Sequence, residues 1–190
     1  VVAFNGSARK DGNTAGLIRT VLEVLEDEGI ETEMVQLAGK SIHGCTACYQ
    51  CFEREDDRCA VDDDDLNECL EKMLNAEGII LGSPTYFADV TAEMKGLIDR
   101  CGLVSKANGD SLRHKIGAAA VAVRRAGSIH AFDTINHFFT INQMIVPGSS
   151  YWNMGFGHMG KDEVASDQEA QDTMRTLGKN MAWVLECLHG

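Results

Sequence analysis

The chain has 190 residues, enough for one domain with a continuous core that needs neither disulfide nor metal as a staple. Hydrophobic residues make up 44% and charged residues 24%, with only two prolines, which is the composition of a folded soluble protein and excludes long disordered linkers. A net charge of -12 with no basic stripe argues against nucleic acid and anionic membrane as partners. In chain order, the apolar run Val1–Phe4 predicts a first strand, the polar segment Gly6–Thr14 a loop, and Leu17, Ile18, Val21, Leu22 and Leu25 a helix. Residues 31–37 read as a second strand, and a cysteine-rich segment follows it. Residues 62–75 read as a helix whose four leading aspartates suit a helix N-terminus. Gly78–Gly82 is a buried-type strand, followed by a loop and an amphipathic helix towards Val104. The small-residue run Ile116–Val123 predicts a fourth strand and residues 129–142 its helix. Met144–Val146 predicts a brief fifth strand, and Pro147–Gly160 a long irregular segment. The last helix is expected to start at Ser166, where Ser166 and Glu169 form a capping-box pattern, and to bury Met174, Leu177, Met181, Leu185 and Leu188.

Strands alternating with helices imply a parallel sheet covered on both faces. Five strands predict an α/β, flavodoxin-like, doubly wound sheet of order 2-1-3-4-5, spanning residues 1–190 as one domain, with a cysteine-rich loop at 44–61 after strand 2. In that order ligands bind outside the carboxyl ends of the strands, where the order reverses. The loops after strands 1, 3 and 4 are therefore the candidates. No run approaches eighteen apolar residues and no signal-peptide layout is visible, so no membrane association is expected.

The first loop, GSARKDGNT, lies between a strand and a helix start. Its glycines admit close backbone approach, Ser7, Asn13 and Thr14 bring hydroxyl and amide groups, and the helix N-terminus offers free N–H groups to a phosphate. Arg9 and Lys10 add positive charge. The spacing matches neither a P-loop nor G-x-G-x-x-G, and a polar turn with a helix cap is the plain alternative. Together with GSPTYFADVTAEMKGLIDR, residues 82–100, this loop resembles the flavin-binding pair of the NADPH-dependent FMN reductase family. The resemblance implies that Ser7, Arg9, Asn13 and Thr14 hold the FMN phosphate, and that Pro84, Thr85, Tyr86 and Phe87 lie beside the isoalloxazine ring. The segment after strand 4, VAVRRAGSIHAF, resembles the family's third flavin-contacting loop, which implicates Arg124 and Gly127. Here Ala126 and Gly127 stand where a Gly-Gly pair is common. An arginine near the pyrimidine end of the flavin, Arg124 or Arg125, would stabilise negative charge on the reduced ring.

Seven cysteines, an odd number without a secreted disulfide spacing, point to a reducing cytoplasm. Cys45, Cys48, Cys51 and Cys59 form C-x2-C-x2-C-x7-C. Short gaps suit three corners of a cubic cluster, and a longer loop brings the fourth thiolate. Zinc, redox-active thiols and inert packing remain the alternatives, although structural zinc more often uses two separated C-x2-C pairs. The pattern is similar to that of the iron–sulfur flavoproteins, a branch of the same family, which implies a [4Fe-4S] cluster on these four residues. It also implies homodimers or homotetramers in which one chain's cluster approaches another's flavin. Cys69, Cys101 and Cys187 fall at helical positions and are expected to be buried.

The function these readings favour is FMN-dependent electron transfer coupling flavin to the cluster, with a donor such as ferredoxin or NAD(P)H. The charge of -12 suits an acidic ferredoxin poorly unless the docking face is locally basic. The alternatives are a NAD(P)H-dependent FMN or quinone reductase without a cluster, and a non-catalytic flavin or zinc binding module. His137 and His158 carry no chemistry in this reading.

Overall fold

The computed structural model describes residues 1–160 and 163–189. It holds a five-stranded parallel sheet of order β2-β1-β3-β4-β5, as predicted. The strands are β1 (Val2–Asn5), β2 (Glu33–Gln36), β3 (Gly78–Pro84), β4 (Ile116–Val123) and β5 (Met154–Phe156). The helices are α1 (Asn13–Asp27), α2 (Gln50–Arg54), α3 (Leu66–Asn75), α4 (Ala92–Ala107), α5 (Ser128–Ile141) and α6 (Gln168–His189).

Strand residues alternate between two apolar layers, as the two-residue period of a strand requires. Phe4, Ile79, Leu81, Ala119 and Val121 enter one layer with Leu70, Met73, Leu97, Ile135 and Phe139. Ala3, Ile80, Ala118 and Ala120 enter the other with Leu17, Ile18, Val21, Met174, Leu177 and Met181. Helices α1 and α6 therefore cover one face, and α3, α4 and α5 the other. Each large apolar side chain buried in these layers contributes about 1.5–3 kcal/mol. The small residues of β4 let the helices come close: a Cβ on Gly117 would lie 2.5 Å from the Phe139 ring.

Four expectations are corrected. The fifth strand is not Met144–Val146, where Ile145 makes only an isolated bridge to Ile116. Pro147 cannot donate to a ladder, and the chain leaves the sheet before returning at Asn153, whose carbonyl accepts from Val121 N at 3.0 Å. The segment expected to be irregular thus contains β5. The last helix does not start at Ser166, which closes a 3-10 turn over Glu163–Ser166 and donates to Glu163 O at 2.8 Å. Asp167 caps α6 instead, accepting from Ala170 N at 3.1 Å while its other oxygen accepts from Phe156 N at 2.9 Å, so one carboxylate ties the helix start to the end of β5. Leu188, on the last turn, is 47% exposed. The aspartates at 62–65 precede α3 rather than forming its first turn: Asp65 accepts from Ser41 N at 2.6 Å, and Asp64 from His43 N at 2.9 Å and Leu66 N at 3.2 Å. They hold the chain that leaves β2. Helix α2, inside the cysteine loop, was not legible as a helix.

Gly117→Ala is expected to destabilise the fold by about 1–3 kcal/mol, because the Phe139 ring is walled in and cannot retreat. A urea midpoint equal to that of the unsubstituted protein would contradict the tight β4–α5 packing.

Candidate functional site

Two recesses stand out, one at the carboxyl ends of β1, β3 and β4 and one between the cysteine loop and the middle of α4. The first begins with main-chain geometry. Gly6 N donates to Gly82 O at 2.7 Å, and Gly6 O accepts from the Thr91 hydroxyl at 2.9 Å. Thr91 caps α4 by accepting from Met94 N, and its own N–H reaches Ser83 Oγ at 3.1 Å. The loops after β1 and β3 are thereby fastened to each other. Buried Asn5 accepts from Ser7 N at 3.1 Å, Gln36 donates to Ser7 O at 2.6 Å, and Ser7 Oγ accepts from Arg9 N at 3.1 Å. The loop is held by its own Ser7–Arg9 hydrogen bond and by Asn5 and Gln36 at the ends of β1 and β2.

Ser7, Arg9, Asn13, Thr14, Pro84, Thr85, Tyr86 and Arg124 come together around a recess of about 180 Å³, which Ala122, Val123, Gly157 and His158 complete. Two observations show what this recess is suited to hold. The hydroxyls of Thr14 and Thr85 are buried without a hydrogen-bond partner, an expensive arrangement unless a ligand supplies one. The N-terminus of α1 begins after Gly12 with no side-chain cap and no acidic residue in its first turn. Its free N–H groups and positive dipole end suit an anion. A flat molecule with an anionic tail fits both, so the residues present fit FMN.

Two predicted residues stand apart. Phe87 is fully exposed and does not line the recess. With Ala88 it forms the tip of a turn, both at positive φ, closed by reciprocal hydrogen bonds between Tyr86 and Asp89. This is backbone that bulky residues rarely adopt and that costs of the order of 1–3 kcal/mol per residue. Gly127 also lies outside the lining, at φ +91, and a Cβ there would sit 2.9 Å from Ala88 Cα. It supports the turn by having no side chain. Arg9 lines the recess with its guanidinium engaged, since Nη1 donates to Met159 O at 2.9 Å.

The segment after β5 was missed as part of this site. Asn13 accepts from Val164 N at 3.2 Å, and Gly157 lies so close that a Cβ would meet the Asn13 amide. Glu163 accepts from the N–H groups of His158 and Gly160, which hold its carboxyl below the usual range. The glycines in GFGHMG were the available signal.

The second recess is lined by all four motif cysteines, with Thr46, Tyr49, Val61, Arg100, Leu103 and Val104. Between residues 47 and 57, Ala47, Tyr49, Glu55 and Asp57 all have positive φ, a concentration of strain that ordinary loops lack. Cys59 is clasped by Asn67, whose Oδ1 accepts from Cys59 N at 2.8 Å and whose Nδ2 donates to Cys59 O at 3.0 Å. Arg100 donates to Cys59 Sγ, and Ala47 N to Cys45 Sγ at 3.4 Å. Among the described residues no three His, Cys, Asp or Glu side chains are gathered closely enough for one ion. A single tetrahedral zinc would need all four sulfurs about 2.3 Å from one point. Four thiols around a shared hollow fit a cluster, which gives each thiolate its own iron.

The thiols differ in character. The N–H of Gln50, then the Thr46 hydroxyl, lower the exposed Cys48 thiol below its ordinary value, whereas burial raises Cys51. Burial pushes Cys69 up to about 11 and raises Cys101 further. Cys69 and Cys101 are core residues as expected, but Cys187 is exposed, because it lies on the outer side of α6. A hollow of about 760 Å³ beside Val1, Glu77, Lys179 and Trp183 is larger than either recess. It lies at the amino ends of the strands and contains neither thiols nor orphaned hydroxyls, so size alone does not mark the site. No helix among the described residues is long and apolar enough to cross a membrane.

Residues 1–159 match the family of NADPH-dependent FMN reductases. An iron-sulfur flavoprotein of Methanocaldococcus jannaschii is 38% identical, over 99% of this chain and 98% of that protein. An iron-sulfur flavoprotein of Methanosarcina thermophila is 33% identical, over 99% and 96%. The fold is similar to that of RosB in complex with 8-demethyl-8-formylriboflavin-5'-phosphate, with a TM-score of 0.79, 21% identity and coverage of 98% of this chain and 79% of that one.

In the metal-free protein, a polar alkylating reagent is expected to label Cys48 and to leave Cys69 and Cys101 unmodified. Because the Cys48 pKa is lowered, its thiolate fraction, and with it the labelling rate, should fall off at a lower pH than for an ordinary thiol. Peptide mass spectrometry across pH checks both. Labelling of Cys101 at the rate of Cys48 would contradict the burial described.

Proposed function

We propose, from the premise that this chain belongs to the NADPH-dependent FMN reductase family, that it couples FMN in the first recess to a [4Fe-4S] cluster in the second. Membership makes the chain a flavin-dependent oxidoreductase; the cluster and the assignment of residues are the proposal. The observation that carries it is the pair of recesses that α4 links, one at the carboxyl ends of β1, β3 and β4 lined by orphaned hydroxyls at an uncapped helix start, the other beside the middle of α4 lined by four cysteines. When bound, FMN exchanges electrons singly or in pairs and the cluster exchanges one at a time.

The residues divide the work by their positions. The start of α1 with Ser7, Asn13 and Thr14 would hold the phosphate, and the Thr14 hydroxyl would gain the partner it lacks. Arg9 would keep Met159 and its loop against the phosphate end while adding positive charge. Pro84, Thr85 and Tyr86 would border the ring. The Thr85 N–H already donates to Ala122 O at 2.8 Å, so its unpartnered hydroxyl is the free polar group there. Arg124, exposed at the end of β4, would stabilise negative charge on the reduced ring. Phe87 and Gly127 would act through the turn beside the recess and not as direct ring contacts.

Cys45, Cys48, Cys51 and Cys59 would each supply one thiolate. The names of the relatives support an iron–sulfur centre, and three cysteines at two-residue gaps with a more distant fourth suit a cluster better than the two separated C-x2-C pairs of structural zinc. NAD(P)H is the donor class that the family implies; a ferredoxin-like donor would need a locally basic face on a chain of charge -12.

Protein purified without oxygen is expected to show flavin absorption with a broad brown shoulder, and about four irons and four sulfides per chain. Flavin bands without iron would leave a plain NAD(P)H-dependent reductase; bound zinc without turnover would leave a binding module. Thr14→Val is expected to fold with undiminished stability, because it deletes an unpartnered hydroxyl, and to bind FMN about 10- to 100-fold more weakly through loss of about 1.5–3 kcal/mol of hydrogen bonding to the phosphate. Unchanged affinity in a fluorescence titration would remove Thr14 from the phosphate site.

A further inference from the structure

Arg100 is the largest fully buried side chain of the fold, 1% exposed, on the face of α4 turned towards the cysteine loop. Each of its five N–H donors has a partner. One terminal nitrogen meets the Asp64 carboxylate and donates to His43 O at 3.2 Å. The other donates to Val61 O at 2.7 Å and to Cys59 Sγ at 3.3 Å, and Nε donates to the same sulfur at 3.4 Å. The Nε–Nη2 edge of a guanidinium commonly grips the two oxygens of a carboxylate. Here both N–H groups converge on one sulfur. A neutral thiol is a weak acceptor, so two donors from a buried cation match a sulfur carrying negative charge, as a metal-bound thiolate does.

The partners of Arg100 also span the loop. His43 precedes Cys45, Val61 and Asp64 follow Cys59, and Cys59 lies across the seven-residue gap from Cys51. Closing such a gap costs conformational entropy, and Cys59 is held from two sides, its main chain by Asn67 and its sulfur by Arg100. Cys45 has one donor to its sulfur and stands exposed. The cation is therefore directed at the fourth ligand alone.

We propose that Arg100 is a positioning residue that fixes Cys59 as the fourth cluster ligand and, through its two N–H···S contacts, makes the cluster easier to reduce. The proposal rests on the reading that the four cysteines hold a [4Fe-4S] cluster. Hydrogen bonds to ligating sulfur and a nearby positive charge favour the more negative, reduced state and so raise the midpoint potential. One electron is gained at the cluster; no bond at Arg100 forms or breaks, and its guanidinium stays protonated throughout. Asp64 opposes the effect with its own negative charge while orienting the guanidinium, so the pair sets the potential by difference.

The test uses holoprotein of Arg100→Lys and Asp64→Asn, made without oxygen. Iron and sulfide are counted, and flavin and cluster midpoints are followed separately by visible and EPR-monitored titration. Arg100→Lys keeps a charge opposite Asp64 but lacks the paired edge, and is expected to lower the cluster midpoint while the flavin midpoint stays within replicate scatter. Asp64→Asn removes the opposing charge and is expected to raise the cluster midpoint. Displacement in opposite directions is something a mere scaffold would not produce. Unchanged cluster midpoints in both variants, or shifts of the same sign, would overturn the proposal. If Arg100→Lys retains flavin but loses iron, the positioning role is supported and Asp64→Asn decides the electronic one: a raised midpoint supports it, an unchanged or lowered one overturns it. Loss of iron from both variants would reduce Arg100 to a scaffold and overturn the proposal. Absence of iron and sulfide from the unsubstituted protein would instead defeat the underlying cluster reading.

Discussion

The fastening of Gly6 between Gly82 and Thr91 is the contact on which the rest of the site depends. Gly6 follows β1 and opens the first loop, Gly82 lies in β3, and Thr91 caps α4, so three hydrogen-bonding residues bring two remote loops together. A Cβ on Gly6 would lie 3.0 Å from Gly82 O, so the approach depends on a residue without a side chain. From this junction α1 leaves in one direction with an uncapped start and the Pro84–Tyr86 edge leaves in the other. The recess between them is a consequence of the sheet order, because β1 and β3 are neighbours only where the order reverses.

The same α4 that Thr91 caps carries Arg100 two turns later. One helix therefore touches both recesses, its N-terminus at the β1–β3 junction and its middle at Cys59. That arrangement gives a physical route by which displacement at one recess would be felt at the other. It also explains why the cysteine loop can be strained and mostly exposed and yet be held in place: Asp64, Asp65, Asn67 and Arg100 anchor it from buried positions or from the start of α3. An acidic run that resembles solvated helix-start chemistry is in fact the tether between the end of β2 and the cysteines.

Much of the architecture was legible because strands and helices announce themselves by period. β4 was read to its exact ends from eight small or β-branched residues, and the face of α1 from five apolar positions. The parts that were not legible depend on tertiary partners. Met144–Val146 has strand-like composition but loses its ladder to Pro147, whereas Met154–Phe156 is short and glycine-bearing and becomes a strand only because β4 offers it an edge. Ser166 has the local pattern of a cap, and Asp167 takes the place because its second oxygen reaches Phe156. Eight of the ten predicted flavin-site residues line one recess, since loops after adjacent parallel strands must meet. Phe87 and Gly127 do not, because a tight turn rotates one outward and uses the other as a backing. Arg100 was readable only as a charge out of place, lying with Leu97, Cys101 and Val104 on the buried side of α4.

The central claim is that the start of α1 grips the anionic end of a flavin nucleotide. Calorimetric titration of flavin-free protein with FMN and with riboflavin, which differ only in the phosphate, addresses it directly. The account predicts that FMN binds at least 100-fold more tightly, on the order of 3 kcal/mol, and that the difference shrinks as salt rises. Equal affinity for the two flavins would contradict it.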